Sequence, residues 1–308
     1  MEILIAVVLT VAGFVLLIKG ADFFVDGASG VASKLGIPQL IIGLTIVAMG
    51  TSLPEAAVSI SAALKGSAAI TVGNVVGSNI MNILVILGIT AVITSIRVAD
   101  STIRIEIPFM LAISLVFLYF GYTGNEITFI EGVMLWVLFI VYLGYLFYMA
   151  KKNHEEEEME KPRPIWMLFV MIAGGLSMIV LGSNLTVEGA TTIARQLGIS
   201  ERFIGLTIVA LGTSLPELVT SVTAAGKGKA DIAIGNIVGS NIFNILFVVG
   251  SSALITPVVF ADQFVIDTLI SVGAGILLWL GVFRKKSLNR PVGIIMLLAY
   301  AAYFIYLL

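Results

Sequence analysis

The chain writes one unusual phrase twice, Gly50-Thr51-Ser52-Leu53-Pro54-Glu55 and Gly212-Thr213-Ser214-Leu215-Pro216-Glu217, each inside a long apolar segment. At a constant offset of 162, residues 35–88 and 197–250 share about 34 identities in 54 positions without a gap. Shared hydrophobicity alone does not produce that density of matches, so the chain carries an internal duplication. The likeness extends upstream, where Gly20, Asp22, Asp26, Gly27 and Ala28 align with Gly182, Asn184, Glu188, Gly189 and Ala190.

Composition bounds what the duplicated unit can be. Hydrophobic residues make up 59% of the 308 and charged residues 12%, where a soluble domain carries about 25% charged residues. Mean hydropathy is +1.10. Apolar stretches of membrane-spanning length recur about ten times, near 3–32, 38–64, 70–93, 105–121, 127–150, 165–194, 201–225, 231–255, 264–283 and 291–307. They use most of the polypeptide and leave no residues for a soluble domain. The first begins Met1-Glu2 without a basic leader and outruns a signal-peptide core, so it reads as a retained helix.

The expected fold is an all-α membrane protein of ten transmembrane helices in two five-helix repeats. Residues 1–150 hold the first repeat with its duplicated core at 38–88, residues 151–163 a cytoplasmic polar linker, and residues 164–308 the second repeat with its core at 200–250. Five is odd, so the second copy enters the membrane from the opposite side and the repeats have inverted topology. In such architectures the substrate site lies between the repeats near the midplane, on interrupted helices, and access alternates as one bundle moves against the other. With the amino terminus outside, about 13 of the 17 Lys and Arg fall near cytoplasmic ends, Lys151, Lys152, Lys227, Arg284 and Lys285 among them. Both termini are then expected outside the cell.

Within this frame the duplicated phrase is chemically costly. A carboxylate at mid-membrane needs a partner, and a proline inside a helix frees the carbonyl four residues back, here that of Gly50. Gly50 is expected to let other backbone approach closely. At helical spacing Ala48, Thr51, Ser52 and Glu55 share a face, as do Ala210, Thr213, Ser214 and Glu217. The next segment of each half offers Asn74, Ser78 and Asn82, or Asn236, Ser240 and Asn244, four apart. Two carboxylates among hydroxyl, amide and carbonyl oxygens, without sulfur or imidazole, suit hard cations such as Ca2+ and Na+. The amides also suit helix-to-helix hydrogen bonding, and for Asn74, Asn79, Asn236 and Asn241 both roles stand open. Two buried negative charges that one Ca2+ or several Na+ can neutralise make the ions competitors, which is the logic of antiport.

The absence of cysteine excludes disulfides and thiolate metal sites, and the lone His154 lies in a charged loop. No enzyme chemistry, cofactor or nucleic-acid partner is indicated, and no obligatory protein partner is evident. Glu155 to Glu158 form a solvated acidic run without the spacing of an EF-hand. Asp22, Asp26 and Glu188 either draw cations into the access pathways, or pair with Lys19 or snorkel to an interface.

The motif Gly-Leu-Thr-Ile-Val-Ala-x-Gly-Thr-Ser-Leu-Pro-Glu at 43–55 and 205–217, followed by Gly-Asn-x-Val-Gly-Ser-Asn-Ile-x-Asn at 73–82 and 235–244, resembles the α-repeats of the sodium/calcium exchanger family, within the cation/Ca2+ antiporter superfamily. The resemblance implies that Glu55 and Glu217, with Thr51, Ser52, Ser78, Thr213, Ser214, Ser240 and the backbone oxygens of Ala48 and Ala210, line Na+ and Ca2+ sites. It implies electrogenic exchange in the cell membrane by alternating access, with the first and sixth helices sliding over the rest. Potassium-dependent relatives look to have Asp where this chain has Asn244, so the amides Asn82 and Asn244 favour potassium-independent exchange. The large regulatory insertions of animal relatives are absent, and the chain looks like a prokaryotic-type transport core. Alternatives are Ca2+/H+ exchange, with protons carried by the Glu pair, and a cation channel.

Overall fold

The computed structural model describes residues 2–152, 163–198 and 210–307. Its helices are α1 (Glu2–Leu35), α2 (Gln39–Thr51), α3 (Leu53–Leu64), α4 (Ala69–Ile93), α5 (Thr102–Gly124), α6 (Phe129–Lys152), α7 (Ile165–Gln196), α8 (Ala210–Thr213), α9 (Leu215–Gly226), α10 (Ala230–Ile255), α11 (Gln263–Phe283) and α12 (Arg290–Leu307). Four two-residue strands punctuate them: β1 (Ile96–Arg97), β2 (Glu126–Ile127), β3 (Val258–Val259) and β4 (Ser287–Leu288). Among the described residues eight helices are long and apolar enough to cross a membrane, or nine when α2 and α3 count as one bent span. The segment expected at 201–225 lies partly outside the described residues and is represented by α8 and α9. His154 and the run Glu155 to Glu158 also lie outside them.

Burial sorts the spans. In the most apolar window of α10, 94% of residues are buried, and in that of α4 78%, against 17% to 39% for the other long helices. The two helices that follow the duplicated phrase therefore form the centre. Their Asn and Ser side chains face protein, and the outer helices present Leu, Ile, Val and Phe to lipid.

The outermost contact joins α1 to α7 through glycines spaced seven apart. A Cβ on Gly20 would stand 2.8 Å from the Gly175 carbonyl oxygen, and one on Gly182 would stand 2.7 Å from that of Gly13. Gly189 and Gly13 likewise admit the hydroxyls of Thr10 and Thr186. Small residues let helix backbones touch where no hydrophobic driving force operates between them. The result is a long paired unit lying against the inner bundle.

Reciprocal contacts tie the two halves of the chain together. Strand β1 pairs antiparallel with β4, Ile96 opposite Leu288, and β2 pairs with β3, Ile127 opposite Val258. Beside them the Val98 amide donates to the Lys286 carbonyl and the Phe260 amide to that of Asn125, at 2.9 and 2.8 Å. Asn125 and Lys286 sit in corresponding turns and both adopt left-handed backbone, with φ of 54° and 48°. Deep in the core, Asn79 donates to the Asn241 carbonyl at 3.3 Å and Asn241 to that of Asn79 at 3.2 Å. Each contact has a counterpart with the halves exchanged, the signature of an isologous, pseudo-twofold arrangement.

Candidate ion site

The chain between α2 and α3 turns by 48° at Ser52. Pro54 stands in the first turn of α3 and Pro216 in that of α9, where the missing N–H costs nothing, and the helix before each proline stops short. The carbonyl of Gly212, four residues before Pro216, accepts a 2.6 Å hydrogen bond from Ser183 of α7. A freed backbone oxygen at the break is thus present, and α7 takes it up. Gly50 serves differently from expectation: a Cβ there would meet the Phe24 ring at 3.2 Å and Leu176 next, so it makes room for side chains of α1 and α7 rather than for backbone.

At these breaks Glu55 and Glu217 point inward, 1% and 0% exposed. Each spends one oxygen on a serine: Ser52 donates to Glu217 Oε1 at 2.8 Å, across the halves, and Ser78 to Glu55 Oε1 at 3.4 Å, within one half. Among the described residues the other oxygens, Glu55 Oε2 and Glu217 Oε2, are buried without a hydrogen-bond partner. So are Asn82 Oδ1, Asn244 Oδ1 and Ser214 Oγ. The amide orientation follows from the partners, since Asn82 Nδ2 donates to Asn241 Oδ1 at 2.9 Å and Asn244 Nδ2 to Asn79 Oδ1 at 3.1 Å. Asn82 and Asn244 each open a π-helical stretch, Asn82–Leu87 and Asn244–Val249. Such wide turns are common at functional sites and shift the register of the residues they carry.

The residues proposed from sequence thus separate into kinds. Thr51 Oγ1 lies 3.0 Å from Asn236 Oδ1 and 3.3 Å from the Ala48 carbonyl, and Ser240 donates to that carbonyl at 3.3 Å. The contacts of Thr51 with Asn236 and of Ser240 with Ala48 bind one half to the other. Asn74 donates to the Glu55 carbonyl and to Ser59, and Asn236 to the Glu217 carbonyl and to Ser221. They hold the backbone that bears each carboxylate. Asn79 and Asn241 form the central knot, which places them on the packing side of the open choice. Ala210 begins α8, Thr213 follows within it, and Thr213 lines two cavities described below. Ser59, Ser221 and Ser183 escaped the reading of the sequence, although Ser59 and Ser221 obey the 162-residue offset that exposes the rest.

Five buried oxygens without partners, two of them on carboxylates, would be unfavourable in any closed interior. Oxygens of these kinds suit a hard cation, and no group of three or more His, Cys, Asp or Glu that could hold a metal occurs among the described residues. The family model described as "sodium/calcium exchanger protein" matches residues 5–148 and 167–308, nearly the whole chain and both halves. The chain belongs to the sodium/calcium exchanger family. That family comprises transporters rather than enzymes, consistent with a site of ligand oxygens and no nucleophile. Its members similar to this chain include CaxA of Alkalimonas amylolytica, 41% identical over 97% of this chain and 98% of its own. Sodium/calcium exchanger MaX1 of Methanosarcina acetivorans is 32% identical over 96% of both. A solved structure of the sodium-calcium exchanger NCX_Mj, soaked with zero Na+ and Ca2+, superposes with a TM-score of 0.87 at 31% identity, covering 99% of this chain and 100% of that one.

Around this exchanger-family site the remaining acids fall unevenly. Asp22 and Asp26 of α1 do not pair with Lys19; both engage Lys227, just beyond α9, at 3.1 and 2.7 Å. One turn of helix separates the two carboxylates, so a single ammonium bridges them and ties α1 to the inner bundle. Their counterparts on α7, Asn184 and Glu188, instead line a cavity of about 620 Å3 that runs past Pro54 to Thr213.

Proposed function

We propose that this chain is a secondary active antiporter that exchanges Na+ for Ca2+ at one site centred on Glu55 and Glu217. The observation that carries the reading is the group of buried, partnerless oxygens drawn from both halves: two carboxylates, two amides and a hydroxyl. Ca2+ takes about 6–8 oxygen ligands, and bidentate carboxylates, the amides, Ser214 and nearby hydroxyl and carbonyl oxygens supply that number. Ala48, Thr51, Ser52, Ser78, Ala210, Thr213 and Ser240 complete the set. With two formal charges the site neutralises one Ca2+ or is satisfied by several Na+, so either ion displaces the other.

The reading includes ten spans in two inverted halves, 1–150 and 164–308, joined by a linker at 151–163. The reciprocal strand clamps and the asparagine knot support it. On this topology the protein spans the cell membrane with both termini outside, as the distribution of Lys and Arg favours. Exchange is independent of K+, because Asn82 and Asn244 bring no third charge, and it is electrogenic if three Na+ replace one Ca2+, as the resemblance to the family implies. Alternating access comes from the α1 and α7 pair moving against the bundle, to which the Lys227 bridge and the Ser183 bond to Gly212 tie it.

The test is 45Ca2+ uptake into proteoliposomes loaded with Na+, with K+, or carrying a pH gradient, in wild type and Glu217→Gln. Uptake that needs internal Na+, ignores K+ and disappears in the variant is expected. Uptake driven by the pH gradient alone would replace the reading with Ca2+/H+ exchange. Flux without any counter-ion would make the protein a channel.

A further inference from the structure

A second cavity, about 550 Å3, opens between α4, α11 and α12 and reaches inward to Asn74, Ser78 and Thr213. At its inner end Ser78 is the residue that donates to Glu55, so the cavity abuts the ion site. Asp267, about one turn into α11, stands on its wall and is the one carboxylate in the lining. Tyr303 of α12 donates to Asp267 Oδ1 at 3.1 Å and fixes its direction. Across the cavity α4 presents Gly77, where an added Cβ would meet nothing within 4 Å, so the helix is slim where the passage runs.

The first half of the chain shows what this position looks like when it is sealed. Asp267 corresponds at an offset of 161 to Glu106 of α5, in the same register that relates β2 to β4. Glu106 is 2% exposed, takes a hydrogen bond from Tyr145, and lines none of the cavities described. The duplicated fold thus holds a carboxylate and tyrosine in both halves, but only the second pair lies on a passage to the site. A negative charge inside a low-dielectric channel raises the local concentration of cations and speeds their capture, an effect that weakens as ionic strength rises.

We propose that Asp267 is a cation-recruiting carboxylate that delivers Ca2+ to the Glu55 and Glu217 site from the membrane face on which α11 begins. The proposal rests on the exchange reading above. It assigns Asp267 to capture rather than to coordination in the site, and Tyr303 to holding it in position.

The experiment measures Na+-driven 45Ca2+ flux in right-side-out and inside-out membrane vesicles holding wild type, Asp267→Asn, Asp267→Glu or Tyr303→Phe. Asp267→Asn is expected to raise the half-saturating Ca2+ concentration roughly three- to tenfold on one face only, with the maximal rate kept and the difference shrinking at high salt. Asp267→Glu keeps the wild-type value. Tyr303→Phe, which leaves the charge, gives a smaller shift on the same face. An Asp267→Asn protein that reaches the membrane at wild-type level with unaltered half-saturation on both faces would overturn the proposal. So would an equal, salt-insensitive change on both faces, which marks a structural role. Wild-type vesicles separate the two readings: loss of Na+-driven flux there overturns the exchange reading and this proposal with it, whereas normal wild-type flux beside an unaffected variant overturns the proposal alone.

Discussion

At the scale of single residues the site is economical. Each carboxylate accepts from one serine and has a second oxygen without a partner, but the two serines differ. Ser52 reaches Glu217 at 2.8 Å across the halves, while Ser78 stands 3.4 Å from Glu55. A hydrogen bond to a charged group is worth about 1.5–3 kcal/mol, and it weakens steeply with length. Ser52→Ala should therefore weaken Ca2+ binding by about tenfold, equivalent to about 1.4 kcal/mol, and Ser78→Ala by less. Calorimetric Ca2+ titration of both variants measures the difference, and equal losses would show that the two serines act only as interchangeable ligands. Most of these residues were legible before any coordinates, because mid-membrane carboxylates and prolines are costly and appear here in duplicate. What periodicity could not reveal was the division of labour among the amides. Asn79 and Asn82 are three apart on one helix and both donate to Asn241 across the halves, yet only Asn82 keeps a buried oxygen without a partner. A wide π turn begins at Asn82, and hydrophobic patterning carries no signal for it.

At the scale of elements, the helices were foreseeable from apolar runs and the breaks from the prolines, and the glycine seam was not singled out. Its spacing is plain afterwards: Gly13, Gly20 and Gly27 repeat at an offset of 162 as Gly175, Gly182 and Gly189. Glycines in an apolar run read as ordinary membrane composition until a partner helix is known to cross them. Backbone atoms meet there at distances a methyl group cannot enter, so Gly182→Ala must push α1 and α7 apart at a cost on the order of 1–3 kcal/mol. Gly174→Ala is the control, since its added Cβ would meet nothing within 4 Å. Thermal melting in detergent should show Gly182→Ala less stable and Gly174→Ala like wild type; a Gly182→Ala protein as stable as wild type would mean that the seam is not tightly packed. The other element-level surprise is Lys227. Reading along α1 suggested Lys19 as the partner of Asp22 and Asp26, but the ion pair is formed between elements some 200 residues apart, which sequence spacing does not encode.

For the whole molecule, the arrangement follows from one duplication. On the proposed five spans per copy, the second copy inserts oppositely and meets the first face to face, so that corresponding residues converge on one centre. The same symmetry explains why contacts come in pairs, from the strand clamps to the asparagine knot. It also shows where the pairing is broken: Lys227 binds acids on α1 while Glu188 lines a cavity on α7, and Asp267 lines a passage while Glu106 is sealed. On the proposed alternating-access reading, these departures from symmetry are where the two ends would differ.

On the exchange reading, two halves of one chain build a single cation site for which Ca2+ and Na+ compete. The measurement that meets it most directly is equilibrium 45Ca2+ binding to the purified protein, titrated with Na+, for wild type, Glu55→Gln and Glu217→Gln. Wild type is expected to bind a single Ca2+ per chain, displaced fully by Na+ and not by K+, with binding lost when either glutamate is neutralised. Binding that survives in one variant at wild-type affinity, or Ca2+ that Na+ fails to displace, would contradict it.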